Sequence, residues 1–573
     1  MQISDWVADF FKSNEIDKVF LYPGGTVAPL VNSCLSRSIE IETFKSEQGA
    51  IYAALACARV TGRPQVAMVT SGPGVTNAIS PLADAFYDST PLILITGQIS
   101  TADLKTRSSV RQRGFQEVPT VEITTPITKR STCLMDVEHV FREIPLAFQL
   151  CQSHRFGPVV IDFPMDIQRS DVTQFPQVDK TTSTAVENTL SSEVEALISQ
   201  IVTTAASSQR PVILLGQGAL IAGQYPMYER IAKLMDARIV SSLLGLGSYD
   251  VTDNRYLGYL GHTGHLAANL AVNDCDFLLA LGTRLDVRQT GTLVDQFVSN
   301  GRIAWVNLDA DELANPRVSV DWKVQLDVGL FCSVFEDQFE GRVEEVDGNW
   351  VESLHKIQKE YTEDRPVPGS QELSPRQVLQ SLSEILKHVA PVSVVTGVGC
   401  HQQWAARHLP YHPYNCRFLT SGGHGTMGYD LPSAIGAAMA EPDRTIVCIV
   451  GDGSFLMNIQ ELAALNERGL NVKVVILNNR RLGIVSQFQL ITWGTDPTTG
   501  TFGTPDFAMI SRGFGIRARQ FTSASNIDEG LQWLFKHEGP ALADILIDPE
   551  ADVVPMLLAG QSLGEMWTGR STT

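Results

Sequence analysis

An acidic residue between two glycines ends one apolar stretch of this chain, and an asparagine ends the next. Gly451-Asp452-Gly453-Ser454-Phe455 follows Thr445-Ile-Val-Cys-Ile-Val450. After an apolar, helix-like segment comes Val474-Val475-Ile476-Leu477-Asn478-Asn479. In a parallel sheet, consecutive strands joined by a crossover helix end side by side on the carboxyl edge, where ligands bind. Asp452 and Asn479 can then meet one hard cation, and Gly451 and Gly453 let backbone N–H groups approach a phosphate. Two side chains suffice for magnesium, which completes its octahedron with phosphate oxygens and water. The plain alternative is a Gly-Asp-Gly turn and an unrelated Asn-Asn turn, because motifs this short recur by chance.

Glu47 is the second residue of interest. It opens a small-residue helix, Ala50-Ile-Tyr-Ala-Ala-Leu-Ala-Cys-Ala58, among apolar neighbours. A carboxylate at a helix start is stabilised by the dipole, which is reason enough for its presence. Two glycine turns at strand ends could line a pocket near it: Leu21-Tyr-Pro-Gly-Gly25 and Val69-Thr-Ser-Gly-Pro-Gly74.

The elements that must position these residues alternate throughout. Residues 1–170 read as helices at 7–14, 47–61 and 77–89, with strands at 18–22, 65–70, 92–96 and 159–162, a doubly wound parallel domain. Residues 170–190 are polar and Thr/Ser-rich, a linker. A second α/β pattern covers 191–339, with strands at 211–215, 277–281 and 304–308. The charged, proline-bearing stretch 340–372 reads as a second linker, and a third α/β domain fills 373–550 before a tail at 551–573. No fixed-period identity relates the three.

Composition bounds the partners. A 573-residue chain of 44% hydrophobic and 19% charged residues is an ordinary globular enzyme of about three domains. A net charge of −19 argues against nucleic acid or an anionic membrane surface. Nine scattered cysteines without a CxxC read as reduced thiols, and no apolar run is long enough to span a membrane. No targeting segment precedes Met1, so the expectation is a soluble, cytoplasmic protein.

The GDG…NN spacing resembles the thiamine-diphosphate motif. The resemblance implies that Asp452, Asn479 and the carbonyl of Arg481 hold Mg²⁺ against the diphosphate. Glu47 would bond the cofactor's pyrimidine ring and favour the tautomer that activates it, a task that suits a buried carboxyl. EQGA, TSGPGVTN, PLILITGQ, GFQE, GPVVIDFPMDIQ, GVGCHQQWAARH, LTSGGHGTMGYDLPSAIGAA, GDGSFLMNIQEL, VVILNNRRLGIVSQFQ and VVPMLLAGQSLGEMW together resemble the acetolactate (acetohydroxyacid) synthase family over essentially the whole chain. That implies three doubly wound α/β domains: pyrimidine-binding, FAD-binding-like and diphosphate-binding, with the tail as a lid. Gly425 and Met427 would hold the aminopyrimidine, while His401, Gly453 and Ser454 hold the diphosphate. Gly25, Phe115 and Gln116 would face the reaction centre. Glu47 would reach the third domain of a second copy, making a homodimer or homotetramer with active sites at the dimer interface.

In the middle domain, glycine turns after strands are routine punctuation by themselves. The resemblance makes Gly216, Gly264, Arg284 and Asp309 an FAD cradle. FAD would be structural there, since carboligation has no redox step. Leu326 stands where the family usually has a glycine near the adenine side.

Departures from the family gather on the acceptor side. Phe488 replaces a tryptophan of the acceptor pocket and Met165 replaces a lysine at the entrance. Arg288, which meets the second substrate's carboxylate, is kept, but its neighbour is Val287. Arginines at 107, 111, 113 and 480 could meet phosphates, or be solvated surface charges. The expected activity is decarboxylation of pyruvate with transfer of the two-carbon unit to a carbonyl acceptor. The departures lean toward a ketone such as a nucleotide-linked keto sugar. The alternative is acetolactate synthesis from two pyruvates, or from pyruvate and 2-ketobutyrate, and the remote one is a non-catalytic cofactor-binding paralogue.

Overall fold

A computed structural model describes residues 1–105, 110–177, 190–367, 369–497, 503–522 and 527–569. It contains three six-stranded sheets in which all neighbouring strands run parallel. The first sheet is built from β1 (Lys18–Leu21), β2 (Glu40–Thr43), β3 (Gln65–Val69), β4 (Leu92–Gln98), β5 (Arg130–Cys133) and β6 (Pro158–Pro164), in the order β2-β1-β3-β4-β6-β5. The middle sheet uses β7 (Pro211–Leu215), β8 (Arg238–Ser241), β9 (Tyr256–Tyr259), β10 (Phe277–Leu281), β11 (Arg302–Asn307) and β12 (Trp322–Gln325), ordered β12-β11-β10-β7-β8-β9. The third uses β13 (Val392–Thr396), β14 (Cys416–Thr420), β15 (Thr445–Gly451), β16 (Val472–Asn478), β17 (Arg517–Phe521) and β18 (Ala541–Leu546), ordered β14-β13-β15-β16-β18-β17.

The first and third sheets therefore have one topology, a structural repeat that leaves no trace as periodic sequence identity. Helices cover both faces of a parallel sheet, so its inner strands are apolar throughout. β3, β7, β10 and β16 are accordingly buried along their whole length. That continuity makes inner strands such as 65–70, 211–215 and 277–281 legible. The short polar edge strands β2 and β5 lack it and escape a pattern-based reading.

The domains share cores. The Glu47–Thr61 helix of the first domain packs on the Asp430–Ala440 helix of the third, inside one apolar cluster that draws residues from both sheets. The approach is close enough that a Cβ on Gly436 would lie 2.1 Å from the Ala53 carbonyl oxygen. The alanine-rich run from Ala50 to Ala58 exists to permit that contact.

The 340–372 stretch is not a linker. It contains the Gly348–Glu360 helix, capped by Asp347 and buried through Trp350 and Leu354 in the middle domain's core. Two apolar side chains one helical turn apart suffice to dock it despite its charge. The tail docks similarly: Leu557, Leu563 and Met566 join the same core. Among the described residues no helix is long and apolar enough to cross a membrane.

Gly436→Val should destabilise the shared core of the first and third domains by about 1–3 kcal/mol through overpacking. The check is a lower denaturant midpoint in urea unfolding.

Candidate active site

Parallel pairing of β15 with β16 sets Gly451 opposite Leu477 and so brings the two following turns together. Asp452 is buried; its Oδ1 accepts the Gly453 N–H at 2.9 Å, while Oδ2 has no protein partner among the described residues. The side-chain amide of Asn479 directs one atom at Asp452 Oδ1 (3.3 Å) and at the Arg481 carbonyl oxygen (2.7 Å). A nitrogen in that place donates to both. An oxygen in that place would face the other two at 3.3 and 2.7 Å, close to the roughly 3 Å between adjacent ligands around a hard cation whose metal–oxygen bonds are about 2.0–2.1 Å. Arg480 takes a left-handed conformation (φ 59°), which turns the Arg481 carbonyl inward. The Arg481 guanidinium is held away from it by the Pro549 carbonyl, Glu550 and Asp496. Among the described residues no group of three His, Cys, Asp or Glu could hold a metal ion. One carboxylate, one amide and one carbonyl suit instead a hard cation that keeps water and phosphate ligands. Burial pushes the Asp452 carboxyl up to about 6.

Beside the cation position, the Cys400–His408 helix starts after β13 and presents His401. His401 Nε2 lies 3.1 Å from Asp430 Oδ1, and its ring sits against Gly399 and Gly451. Asp430 also accepts the Ser454 hydroxyl and the Gly397 N–H, and Ser454 Oγ accepts the Gly428 N–H at 2.8 Å. One buried carboxylate thus joins four turns of the cradle. Sequence reading passed over it because Asp430 begins a helix, where an acid needs no further explanation. Gly425 (φ 78°) faces open space, and its N–H and that of Thr426 are both taken by Ser421 Oγ at 3.0 Å. Met427 beside it is half-buried.

The first domain anchors this loop. Ser421 donates to Asp84, Gly422 and Gly423 N–H groups donate to Asp88, and Arg59 bridges Asp88 (2.7 Å) and the Thr420 carbonyl. Glu47 sits twelve residues from Arg59, about 18 Å along the same helix. Its carboxylate is buried, with Ser46 capping the helix and Asn77 Nδ2 donating to it at 3.0 Å. Gln116 has φ 62° and lies against Gly72, whose missing Cβ leaves it room. Phe115 beside it is 86% exposed and Phe488 is 54% exposed, in edge contact with Trp493. Gly25 opens onto free space and Met165 is half-buried. Arg111 and Arg113 are exposed, Arg480 pairs with Glu372, and Arg107 lies outside the described residues.

A cavity of about 370 Å³ lies at the carboxyl edge of the middle sheet, where the strand order reverses between β7 and β10, and is walled also by Ser89 and Arg155 of the first domain and Gly422 of the third. Arg155, Arg284 and Arg288 line it. Arg284 is paired with Asp286, and Arg155 with Asp309 and Glu312, whereas no acid among the described residues pairs with Arg288. Gly216 does not line the cavity; a Cβ there would strike the Gly282 carbonyl, so turn packing already accounts for it. Asp309 caps the Ala310–Ala314 helix and Gly264 forms a buried turn; neither lines the cavity, while Asn307 and Thr263 do. Leu326 is buried in the core.

Residues 1–123, 198–334 and 397–545 match, respectively, the N-terminal TPP-binding, central and C-terminal TPP-binding domains of thiamine pyrophosphate enzymes. The chain is 34% identical to acetolactate synthase isozyme 2 large subunit of Escherichia coli (strain K12) over 568 residues, covering 99% of each chain. It is 35% identical to the chloroplastic acetolactate synthase of Arabidopsis thaliana over 582 residues (99% of this chain, 84% of that one). Identity to acetolactate synthase 1, chloroplastic, of Zea mays is 35% over 563 residues, 96% of this chain and 86% of that one.

Replacing Asp430 by Asn should weaken thiamine diphosphate binding about tenfold or more, since charged hydrogen bonds contribute about 1.5–3 kcal/mol each. Calorimetric titration reads the loss, with circular dichroism showing the fold retained. A Mg²⁺ ion held by Asp452 would have to displace its proton below about pH 6. Its affinity should therefore fall roughly tenfold between pH 7 and pH 5, and an unchanged affinity would exclude Asp452 as a ligand.

Proposed function

The chain belongs to the thiamine-pyrophosphate-dependent acetolactate synthase family, and from that premise we propose that it condenses two 2-oxo acids, pyruvate being the donor. The observation that carries this reading is the set of polar groups from Asp452, Asn479 and Arg481, lying beside the Asp430-anchored cradle. When bound, thiamine diphosphate supplies the nucleophilic carbon and the electron sink for decarboxylation.

The chain's own residues do the rest. Asp452, Asn479 and the Arg481 carbonyl would hold Mg²⁺, and His401, Gly453 and Ser454 the diphosphate. Gly425 and Met427 would seat the aminopyrimidine. Glu47, kept in place by Asn77, would hold and release a proton at a pyrimidine nitrogen. Arg288, without an acidic partner among the described residues, would take an acceptor carboxylate. We assign FAD to the middle cavity, on the strength of its place at the switch point and its three arginines.

A homodimer or homotetramer follows from Glu47. Its helix end is tied to Glu461 of its own chain, through the Lys45 N–H and the Ser46 hydroxyl, while the cradle loop is anchored about 18 Å away at Arg59. A second copy's Glu47 would complete the cradle. Nine unpaired cysteines fit a reducing compartment, which supports the cytoplasm.

The relatives' names favour two 2-oxo acids over the keto-sugar acceptor. The sugar reading draws its support only from Phe488, Val287 and Met165 on the acceptor side. Pyruvate alone should give acetolactate and CO₂ in equal amounts. Pyruvate consumption that appears only with an added keto sugar would reverse the order of the two readings. Glu47→Gln should lower kcat by about 10²–10⁴. An unchanged rate would remove Glu47 from the catalytic machinery, and no pyruvate turnover in the unsubstituted chain would leave it a binding paralogue.

A further inference from the structure

The Cys400–His408 helix joins two ligand sites. His401 at its start belongs to the diphosphate cradle, and further along it grips the turn that walls the middle-domain cavity. Gln403 Oε1 accepts the Thr263 hydroxyl at 2.5 Å, and the Tyr259 hydroxyl, which donates to the Thr263 carbonyl, lies 3.0 Å from it; both hydroxyls belong to cavity-lining residues. One turn on, Arg407 donates twice to the Thr263 carbonyl, at 2.7 and 3.1 Å. Because the Thr263 hydroxyl fixes the Gln403 oxygen, its amide nitrogen must face the other way. It donates to Gln402 Oε1 at 2.7 Å. That in turn orients Gln402, whose nitrogen donates to Thr420 Oγ1 (2.7 Å) and the Ser421 carbonyl (2.9 Å). Ser421 is the residue whose hydroxyl receives the Gly425 and Thr426 N–H groups. The next residue, Gly422, itself lines the cavity.

Every member of this chain of bonds is buried. Each amide therefore has one satisfied orientation, and losing a donor at one end leaves a buried acceptor unpaired at the next. We propose that Gln403, acting through Gln402, is a positioning residue that makes occupancy of the middle cavity and of the thiamine diphosphate cradle mutually dependent. A dinucleotide seated against Tyr259–Thr263 fixes the turn that supplies the donor. The donor fixes the two amides, and the amides fix the start of the loop that carries Gly425 and Met427. Linkage makes the effect reciprocal: each cofactor tightens the other by one factor. The proposal rests on FAD as the cavity's occupant.

The test is calorimetric titration of the cofactor-stripped full-length protein. Thiamine diphosphate with Mg²⁺ is titrated with and without saturating FAD, and FAD is titrated alone. In the unsubstituted protein FAD should tighten thiamine diphosphate binding about fivefold or more. Gln403→Met, which cuts the relay at its cavity end, and Gln402→Met, which cuts it at its loop end, alter no cavity-lining residue and should each still bind both cofactors. Both should lose the fivefold difference. The proposal is overturned if FAD binds but leaves thiamine diphosphate affinity unchanged, or if the difference survives in both variants. FAD that fails to bind the unsubstituted protein overturns it together with the flavin reading. Thiamine diphosphate that fails to bind contradicts the proposed function itself.

Discussion

Three polar groups drawn together at two adjacent strand ends, the Asp452 carboxylate, the Asn479 amide and the Arg481 carbonyl, are the arrangement on which the rest of the third domain's site depends. Asp452, Asn479 and the Arg481 carbonyl converge only because β15 and β16 run parallel in fixed register and end at the same level. A one-residue slip would turn Asp452 to the other face of its strand. Burying Asp452 costs stability, as the upward displacement of its carboxyl shows. Arg480 adds a left-handed backbone that a side chain rarely adopts. The apolar cores that bury β16 along its whole length and β15 in all but its end residues offset both costs.

The cradle belongs to no single domain. Its loop begins on Ser421, held by Asp84 of the first domain's Pro73–Tyr87 helix, and on Gly422 and Gly423, held by Asp88 at that helix's end. Arg59 neutralises Asp88 and reaches Thr420 as well. On the opposite side, the buried Arg407 guanidinium binds Asp364, Thr263, Val554 and Pro555, and so joins the third domain, the middle domain and the tail. Buried ion pairs contribute little net stability, yet removing one partner is expensive. Their use here is to fix the angle at which three sheets meet, which a purely apolar contact would leave looser.

Much of the fold was legible because inner parallel strands announce themselves as unbroken apolar runs. The topology shared by the first and third sheets was not legible, since hydrogen-bonded strand order constrains pattern and leaves residue identity free. The supposed linker at 340–372 failed for a related reason. Its charges outnumber its apolar residues, but burial is decided by Trp350 and Leu354, with Val346, Val351 and Ile357 packed beside them. The tail likewise contributes to the middle domain's core through three side chains.

The site divides along the same line. Residues that would touch a ligand sit in short local motifs, glycine beside an acid or asparagine at a strand end, and a sequence displays those directly. Residues that aim them do not. Asp430 reaches 29 positions back to His401, Asp84 reaches 337 positions forward to Ser421, and Gln403 reaches 140 back to Thr263. Each is of a common type in an unremarkable place: a helix start, a helix interior, a helix turn. Only the folded chain brings their partners within 3.1 Å. A residue that binds ligand is constrained by local geometry, whereas one that positions another is constrained by the whole fold. That is why the first kind can be read from a string of letters, and why the second becomes visible only when separate domains close on one another.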